Sequence, residues 1–76
     1  MPKYYFNVRS DAFETTDLVG EECSTLNAVR GEALRCASDL VLNDLLNGRV
    51  PQQGWIEVED EEHRPVLTLP LSAAAS

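Results

Sequence analysis

Apolar and polar side chains alternate over residues 4–9, which is the pattern of a β-strand with one face in a core. The apolar face holds Tyr4, Phe6 and Val8. The opposite face holds Tyr5, Asn7 and Arg9. Residues 10–12 are typical of a turn, and a weaker alternation resumes over residues 13–18. The chain is therefore predicted to open with a β-hairpin.

One long helix is predicted over residues 24–47, where apolar side chains recur at three- and four-residue steps. The stripe that they form consists of Leu26, Val29, Ala33, Ala37, Leu40 and Val41, with Leu34 and Cys36 at its margins. A stripe of this width packs on a sheet, so Val29 and Leu40 are expected to be buried.

The ends of this helix carry recognisable signals. Ser24 is the expected N-cap, because its hydroxyl can accept from a free amide of the first turn. Glu21 and Glu22 come just before it, where negative charge suits the positive end of the helix dipole. Gly48 is the expected C-terminal cap, and Pro51 prevents the helix from continuing.

A second pair of strands follows the helix. Residues 55–60 alternate, with Ile56 and Val58 facing inward. The outward set is Trp55, Glu57 and Glu59. An acidic tip over residues 60–64 closes a second hairpin, and residues 66–69 form the last strand. Pro65 and Pro70 flank that strand and suit an edge position, since a proline removes a ladder donor.

The order strand, strand, helix, strand, strand predicts an α+β protein. We expect an antiparallel four-stranded sheet with the helix packed on one face. Residues 1–71 are predicted to form a single domain, since 76 residues cannot bury a second core. Residues 72–76 are predicted to be a flexible tail. One helix covers only one sheet face, so the other is expected to be open and is the place to look for function.

The charge of the chain narrows the choice of partner. Six Lys and Arg residues against thirteen Asp and Glu residues leave a net charge of −7. This acidic balance disfavours binding to nucleic acid or to anionic membranes through the overall field. No run reaches the roughly 20 apolar residues of a membrane span, and the start lacks the apolar region of a signal peptide. We therefore expect a cytoplasmic protein.

Two cysteines, Cys23 and Cys36, are too isolated to indicate a redox or zinc motif. No Cys-x-x-Cys pair occurs, and His63 is the single histidine that could join a metal site. We expect both thiols to be free, with Cys36 filling a small apolar space and Cys23 in a loop. No cofactor is expected.

Several segments resemble one family of small uncharacterised bacterial proteins. They are the start Met-Pro-Lys-Tyr-Tyr-Phe-Asn-Val-Arg, the step from Asp17 to Gly20, the helix pattern of Ala28, Glu32, Ala33 and Ala37, and the two final strands with Leu69-Pro70. Members typically begin Met-Pro-x-Tyr-x-Phe-x-Val-Arg and end in a Leu-Pro pair. The resemblance covers nearly the whole chain and implies no activity, cofactor or site residue. Asn27 and Ser10-Asp11-Ala12 depart from the family pattern of an acidic residue early in the helix and an Asp-Gly turn.

A fainter similarity links the chain to the N-terminal domains of HicB-type antitoxins. The shared features are a strand pair, Gly20, a helix, and the Gly48 to Pro51 exit from it. This is a similarity of architecture, and it implies a domain that binds a partner.

The acidic tip is the densest polar cluster. Its members are Glu57, Glu59, Asp60, Glu61, Glu62 and His63. Two carboxylates at strand spacing could bind a divalent cation or act as an acid and base pair. The calcium-loop pattern and a nucleophile motif are both absent, and hairpin tips are usually solvated. We assign no catalytic residue and no metal ligand.

The surface expected to carry the function consists of Tyr5, Asn7, Arg9 and Trp55 on the open sheet face and Leu42 and Leu46 on the outer helix face. Exposed aromatic side chains are enriched at protein interfaces. Leucines facing solvent must be covered by the Leu71 segment or by another chain. The sequence therefore predicts a non-catalytic protein-interaction or regulatory accessory module, which binds another protein or itself as a homodimer.

Two alternatives stay open. A small enzyme or metal-binding protein would use the acidic tip. Single-stranded RNA could stack on the aromatic side chains of the open face, although Glu57 and Glu59 would repel its backbone.

Overall fold

The structure, a computed structural model, describes residues 1–75, which form five strands, an α-helix and a short 3₁₀ helix. The strands are β1 (Lys3–Ser10), β2 (Glu14–Thr15), β3 (Glu21–Glu22), β4 (Gly54–Glu59) and β5 (Pro65–Pro70). The helices are α1 (Leu26–Leu46) and the 3₁₀ helix Leu71–Ala75. The predicted α+β class is confirmed. The strand count is five where four were predicted, because a further short strand, β3, pairs with β1 between the predicted second strand and the helix.

The sheet is antiparallel, with strand order β2, β1, β4, β5. β2 and β3 both pair with β1, one at each end: Arg9 lies opposite Glu14, and Lys3 lies opposite Glu22. β5 forms an edge of the sheet, as its flanking prolines predicted. The strand expected over residues 13–18 is reduced to the two residues of β2, and β3 follows outside that range.

Asp17 bridges the gap between β2 and β3 with side-chain hydrogen bonds. The Phe6 N–H donates to Asp17 Oδ2 at 3.1 Å, and the Asp17 N–H donates to Asn7 Oδ1 at 2.9 Å. Asp17 Oδ1 accepts from the N–H groups of Val19 and Gly20, each at 3.0 Å. These bonds satisfy backbone groups that would lack partners where the ladder is interrupted.

Gly20 completes this detour with a positive φ of 77°. A Cβ at this position would lie 2.8 Å from the Lys3 side chain and 2.9 Å from the Tyr5 ring. Both conditions favour glycine. The step from Asp17 to Gly20, noticed in the sequence as a pattern, is therefore a structural device that turns the chain from β2 into β3.

Asp17→Asn is expected to lower the free energy of unfolding by about 1–2 kcal/mol near neutral pH, since bonds to a charged acceptor are lost. Partial burial works against ionisation of Asp17, but the amides of Gly20, Phe6 and Val19 outweigh it and lower its pKa. The folded-state pKa thus lies below the unfolded one, and this stabilisation is complete above the unfolded value and disappears as pH falls through the folded value. Urea unfolding of both proteins at several pH values measures the difference. If the difference in the free energy of unfolding between the two proteins did not become smaller in acid, the charge-based explanation would be contradicted.

The N-cap of the helix lies one residue later than predicted. Thr25 is the N-cap in place of Ser24, and its Oγ1 accepts from the Ala28 N–H at 3.1 Å. Either hydroxyl can cap a helix, so the local sequence alone did not separate them. At the other end the prediction for Gly48 is confirmed: its φ is 71°, and its N–H donates to the Leu45 carbonyl at 3.1 Å. No helix within residues 1–75 is both long and apolar enough to span a membrane.

The core lies between α1 and one face of the sheet. Its buried members are Phe6, Cys23, Val29, Ala33, Ala37, Ile56, Val58, Leu69 and Leu71. Val29 is buried as predicted, and Leu40 is only partly buried. The prediction for Leu26 was wrong: this side chain is exposed because it stands at the first residue of the helix. Cys23 lies in the loop between β3 and α1, as predicted, and its side chain also belongs to the buried core.

The 3₁₀ helix Leu71–Ala75 packs against α1 and β4. Leu71 is buried, so it belongs to the core and does not cover the outer face of α1. Residues 72–75 take a helical conformation here, while the predicted flexibility of this tail stays a prediction. Ser76 lies outside the described residues.

Candidate functional site

The side chains that the alternating pattern assigned to the open sheet face lie next to one another on β1 and β4. Arg9 lies opposite Trp55 across the β1–β4 pair, Asn7 lies opposite Glu57, and Tyr5 lies opposite Glu59. Trp55 is 48% exposed. The surface is continuous because β1 and β4 are neighbours in the centre of the sheet.

Most polar groups on this face pair with one another. Arg9 Nε lies 3.5 Å from Glu14 Oε1 and 3.6 Å from Glu57 Oε1. Asn7 Nδ2 donates to Glu59 Oε1. The Tyr5 ring lies beside His63, with ring centroids 6.2 Å apart. Pairs this exposed contribute little to stability.

The acidic tip is organised around Asp60. Its Oδ1 accepts from the N–H groups of Glu62 at 2.8 Å and Arg64 at 3.0 Å, and its Oδ2 accepts from Arg64 Nε at 3.1 Å. The Arg64 amide is the largest cause of the lowered pKa of Asp60. His63 takes the left-handed conformation that the turn requires, with φ at 63°. The Asp60 carboxylate therefore closes the turn. Within residues 1–75, no group of three or more acidic, His or Cys side chains is arranged so that it could hold a metal ion.

The outer face of α1 carries three leucines near its C-terminal end, which we call the leucine ridge: Leu42, Leu45 and Leu46. They are 54%, 57% and 77% exposed, respectively. Residues three and four apart share a helix face, and this face is opposite the buried stripe of Val29, Ala33 and Ala37. The sequence prediction named Leu42 and Leu46 but missed Leu45, although its spacing from Leu42 was a sufficient signal.

The N-terminal half of the same outer face is ionic. Arg35 forms ion pairs with Glu32 and with Asp39, the latter at 3.1 Å. The apolar surface of the outer face is thereby confined to its last turns. No segment of residues 1–75 covers the ridge, since Leu71 is buried in the core.

A groove of about 570 Å³ opens at the end of the sheet where β4 begins, and we call it the Trp55 groove. Its apolar walls are Val41, Pro51, Trp55, Pro70 and Leu71. A second cavity of about 310 Å³ shares Val41, Gln52 and Leu71 with it and reaches Phe13 and Leu40. The groove was not predictable from the sequence, because its walls come from four separate parts of the chain that no local pattern connects.

Hydrogen bonds hold the loop that forms one wall of the groove. Ser10 Oγ donates to Gln52 Oε1 at 2.8 Å, and the Gln52 N–H donates to Asp44 Oδ2 at 3.3 Å. The Asp11 N–H donates to the Gln53 carbonyl at 3.2 Å. The groove is therefore formed before any ligand arrives.

A family model described as a domain of unknown function, DUF6894, matches residues 3–72. The chain belongs to the DUF6894 family. The match runs from the first residue of β1 past the end of β5, and it confirms the predicted resemblance to a small uncharacterised family. No curated protein and no solved structure matches this DUF6894 chain.

Both cysteines of the DUF6894 domain are free thiols. Burial raises the pKa of Cys23 and of Cys36, and the Glu32 carboxylate raises both further. Burial is the largest cause of the raised pKa of Glu21, and the Glu32 carboxylate raises that pKa further. A thiol with a raised pKa stays protonated and unreactive near neutral pH, which fits a structural role for both residues.

Proposed function

We propose that this DUF6894 domain is a non-catalytic protein-interaction module with a regulatory or accessory role, and that the leucine ridge is its main contact surface. The observation that supports this most is the exposure of Leu42, Leu45 and Leu46 together on a face that no described segment covers. Contiguous exposed apolar patches on small domains commonly mark interaction sites.

The energetic gain from covering the ridge is substantial. Burying a leucine side chain fully contributes about 1.5–3 kcal/mol, and the three side chains are more than half exposed. A stable interface buries about 800 Å² on each partner, which exceeds what three leucines supply. The contact is therefore expected to extend over neighbouring polar positions, with Arg35 and Asp39 forming part of its rim.

A second copy of the chain and a different protein are the two forms of this proposal. Ion pairing balances much of the charge near the ridge, because Arg35 lies between Glu32 and Asp39 and Arg49 pairs with Asp44. Local charge therefore permits a two-fold contact of ridge against ridge. The overall charge of −7 favours a less acidic partner instead.

The alternatives receive less support from the same geometry. The open face offers Trp55 and Tyr5 to an RNA base, but Arg9 is already paired with two carboxylates there. In the acidic tip, Asp60 closes its own turn, which leaves it poorly placed as an acid, base or metal ligand. Free, unreactive thiols fit a reducing compartment, and we propose the cytoplasm as the location.

Leu46→Glu is expected to weaken the association, because it would bury a charge in the contact. Leu26→Glu is the matched control, since Leu26 is an exposed leucine on the same helix but outside the ridge. For a homodimer, light scattering should give a mass above the 8.4 kDa monomer for the wild type and for Leu26→Glu, and the monomer mass for Leu46→Glu.

For a hetero-partner, a photo-crosslinking residue at position 46 in host cells should give a defined adduct that is absent with the same residue at position 26. A monomeric wild type without a position-specific adduct would refute the proposal in both forms.

A further inference from the structure

We propose that the Trp55 groove binds an arginine-bearing segment of a protein partner, at a site separate from the leucine ridge. The groove lies at the end of the sheet where β4 begins and reaches Val41 of α1. The ridge lies on the outer face of α1, and none of its three leucines lines the groove or the second cavity. The proposal therefore adds a second binding site and does not depend on the first.

The size and walls of the groove suit a short stretch of polypeptide. Its volume of about 570 Å³ lies within the range of sites that hold organic ligands. The apolar surface continues past Val41 and Leu71 into the second cavity, toward Phe13 and Leu40. An apolar side chain next to the arginine would be buried there.

The charges around Trp55 favour a cation. Arg9 is the only base of the groove wall among the described residues, and its guanidinium lies near the carboxylates of Glu14 and Glu57. Glu14 and Glu57 do not line the groove itself, but together with Asp11 of its wall they give the surroundings of Arg9 an excess of negative charge. The whole chain is acidic as well, so approach of a basic segment is favoured at long range.

Trp55 supplies the specific contact for that cation. Its indole is 48% exposed and shares a strand face with Glu57, two residues along β4. Tryptophan is the best aromatic partner for a cation, and a planar guanidinium can stack on the ring while it bonds to a carboxylate. An anion would instead have to compete with Glu14 and Glu57 for Arg9.

The groove is also preorganised, which lowers the cost of binding. Gln52 is held by Ser10 and Asp44, and the Gln53 carbonyl is held by Asp11. A site whose loop is already ordered loses little conformational entropy when the segment arrives.

The fluorescence of Trp55, the single tryptophan of the chain, reports directly on this groove. The probes are three capped peptides in which the same apolar residues alternate with arginine, with serine or with glutamate. The arginine peptide is expected to change the emission saturably and to bind several-fold more weakly in high salt. The serine and glutamate peptides are expected to bind at least several-fold more weakly than the arginine peptide.

Two glutamate variants locate the interaction. Glu57→Gln is expected to weaken binding of the arginine peptide several-fold, because it removes a carboxylate beside Trp55. Glu62→Gln is the matched control: it also removes one ion-paired carboxylate, but at the distant hairpin tip. Leu46→Glu is expected to leave the titration unchanged, which separates this site from the ridge.

Clear outcomes would overturn the proposal. Equal binding of the three peptides would show an unspecific apolar cleft, and the absence of any emission change would show no site. Equal effects of Glu57→Gln and Glu62→Gln would place the cation elsewhere. Displacement of the arginine peptide by oligouridylate, with tighter binding of the RNA, would assign the face to nucleic acid.

Discussion

Gly54→Ala is expected to destabilise the domain by about 3 kcal/mol or more, at the upper end of what overpacking costs. A Cβ on Gly54 would overlap the Arg9 carbonyl oxygen and lie 2.7 Å from Ser10 Cα. Both atoms belong to the backbone of β1, which pairs with β4 over this stretch. The clash therefore cannot be relieved by a side-chain rotation. Small domains have only about 5–15 kcal/mol of stability, so this change should be visible as a large fall in the urea midpoint.

Gly31→Ala is the control for this prediction, because it adds the same methyl group where there is room. Gly31 is exposed within α1, and no atom lies within 4 Å of the added Cβ. Alanine is a better helix former than glycine, so this variant should be more stable than the wild type by about 0.5–1 kcal/mol. Equal stability of the Gly54→Ala variant and the wild type would contradict the close approach of β1 and β4.

Ile56→Ala is expected to lower the free energy of unfolding by about 2–5 kcal/mol, the range for truncating a buried isoleucine. Ile56 is completely buried and, with Val29 and Val58, is among the largest such side chains of the core. Val50→Ala is the control, because Val50 is 87% exposed and its truncation should change the stability by less than about 0.5 kcal/mol. Leu40→Ala should have an intermediate effect, since Leu40 is only partly buried. Urea unfolding followed by circular dichroism measures all three.

The ranking of these variants matters more than any single value. If Leu40→Ala proved more destabilising than Ile56→Ala, the core would lie nearer the C-terminal half of α1 than the structure places it. The leucine ridge, which lies in that half of α1, would then be closer to the core than the exposure of its side chains indicates.

The two proposed contact surfaces lie on different sides of the domain. The leucine ridge faces away from the sheet, and Trp55 faces away from the helix. Both can therefore be occupied together, and substitutions in one are expected to leave binding at the other unchanged. A domain of this kind could link two protein segments, which fits an accessory role.

Local patterns in the sequence were enough to predict which residues share a face of each strand. The alternation of Tyr5 with Phe6, and of Trp55 with Ile56, has the period of a strand, and side chains on a strand must alternate. The structure accordingly places Phe6 and Ile56 in the core and Trp55 on the open face. The cap at Gly48 was predictable for a similar reason, because few residues tolerate a positive φ.

Contacts between residues far apart in the sequence determine the features of the fold that local patterns did not predict. The second strand ends early because Asp17 bonds to Phe6 and Asn7, ten or more positions away, and these bonds replace the ladder there. Leu26 had the spacing of a core residue, but spacing does not say where the sheet ends. Cys23 is buried by the packing of elements around it, which its neighbours in the chain do not reveal.

The two candidate sites differ in the same respect: the leucine ridge follows from local periodicity, and the Trp55 groove follows from tertiary packing. Leu42 and Leu46 were predictable as an exposed pair, because a helix repeats every three to four residues and the opposite face was already assigned to the core. The sequence by itself thus determined the α+β class, the strand faces and most of the ridge, all of which depend on local periodicity. The Trp55 groove was decided by tertiary structure, since Arg9, Gln52, Trp55 and Leu71 become neighbours only when β1, β4 and the C-terminal 3₁₀ helix pack together.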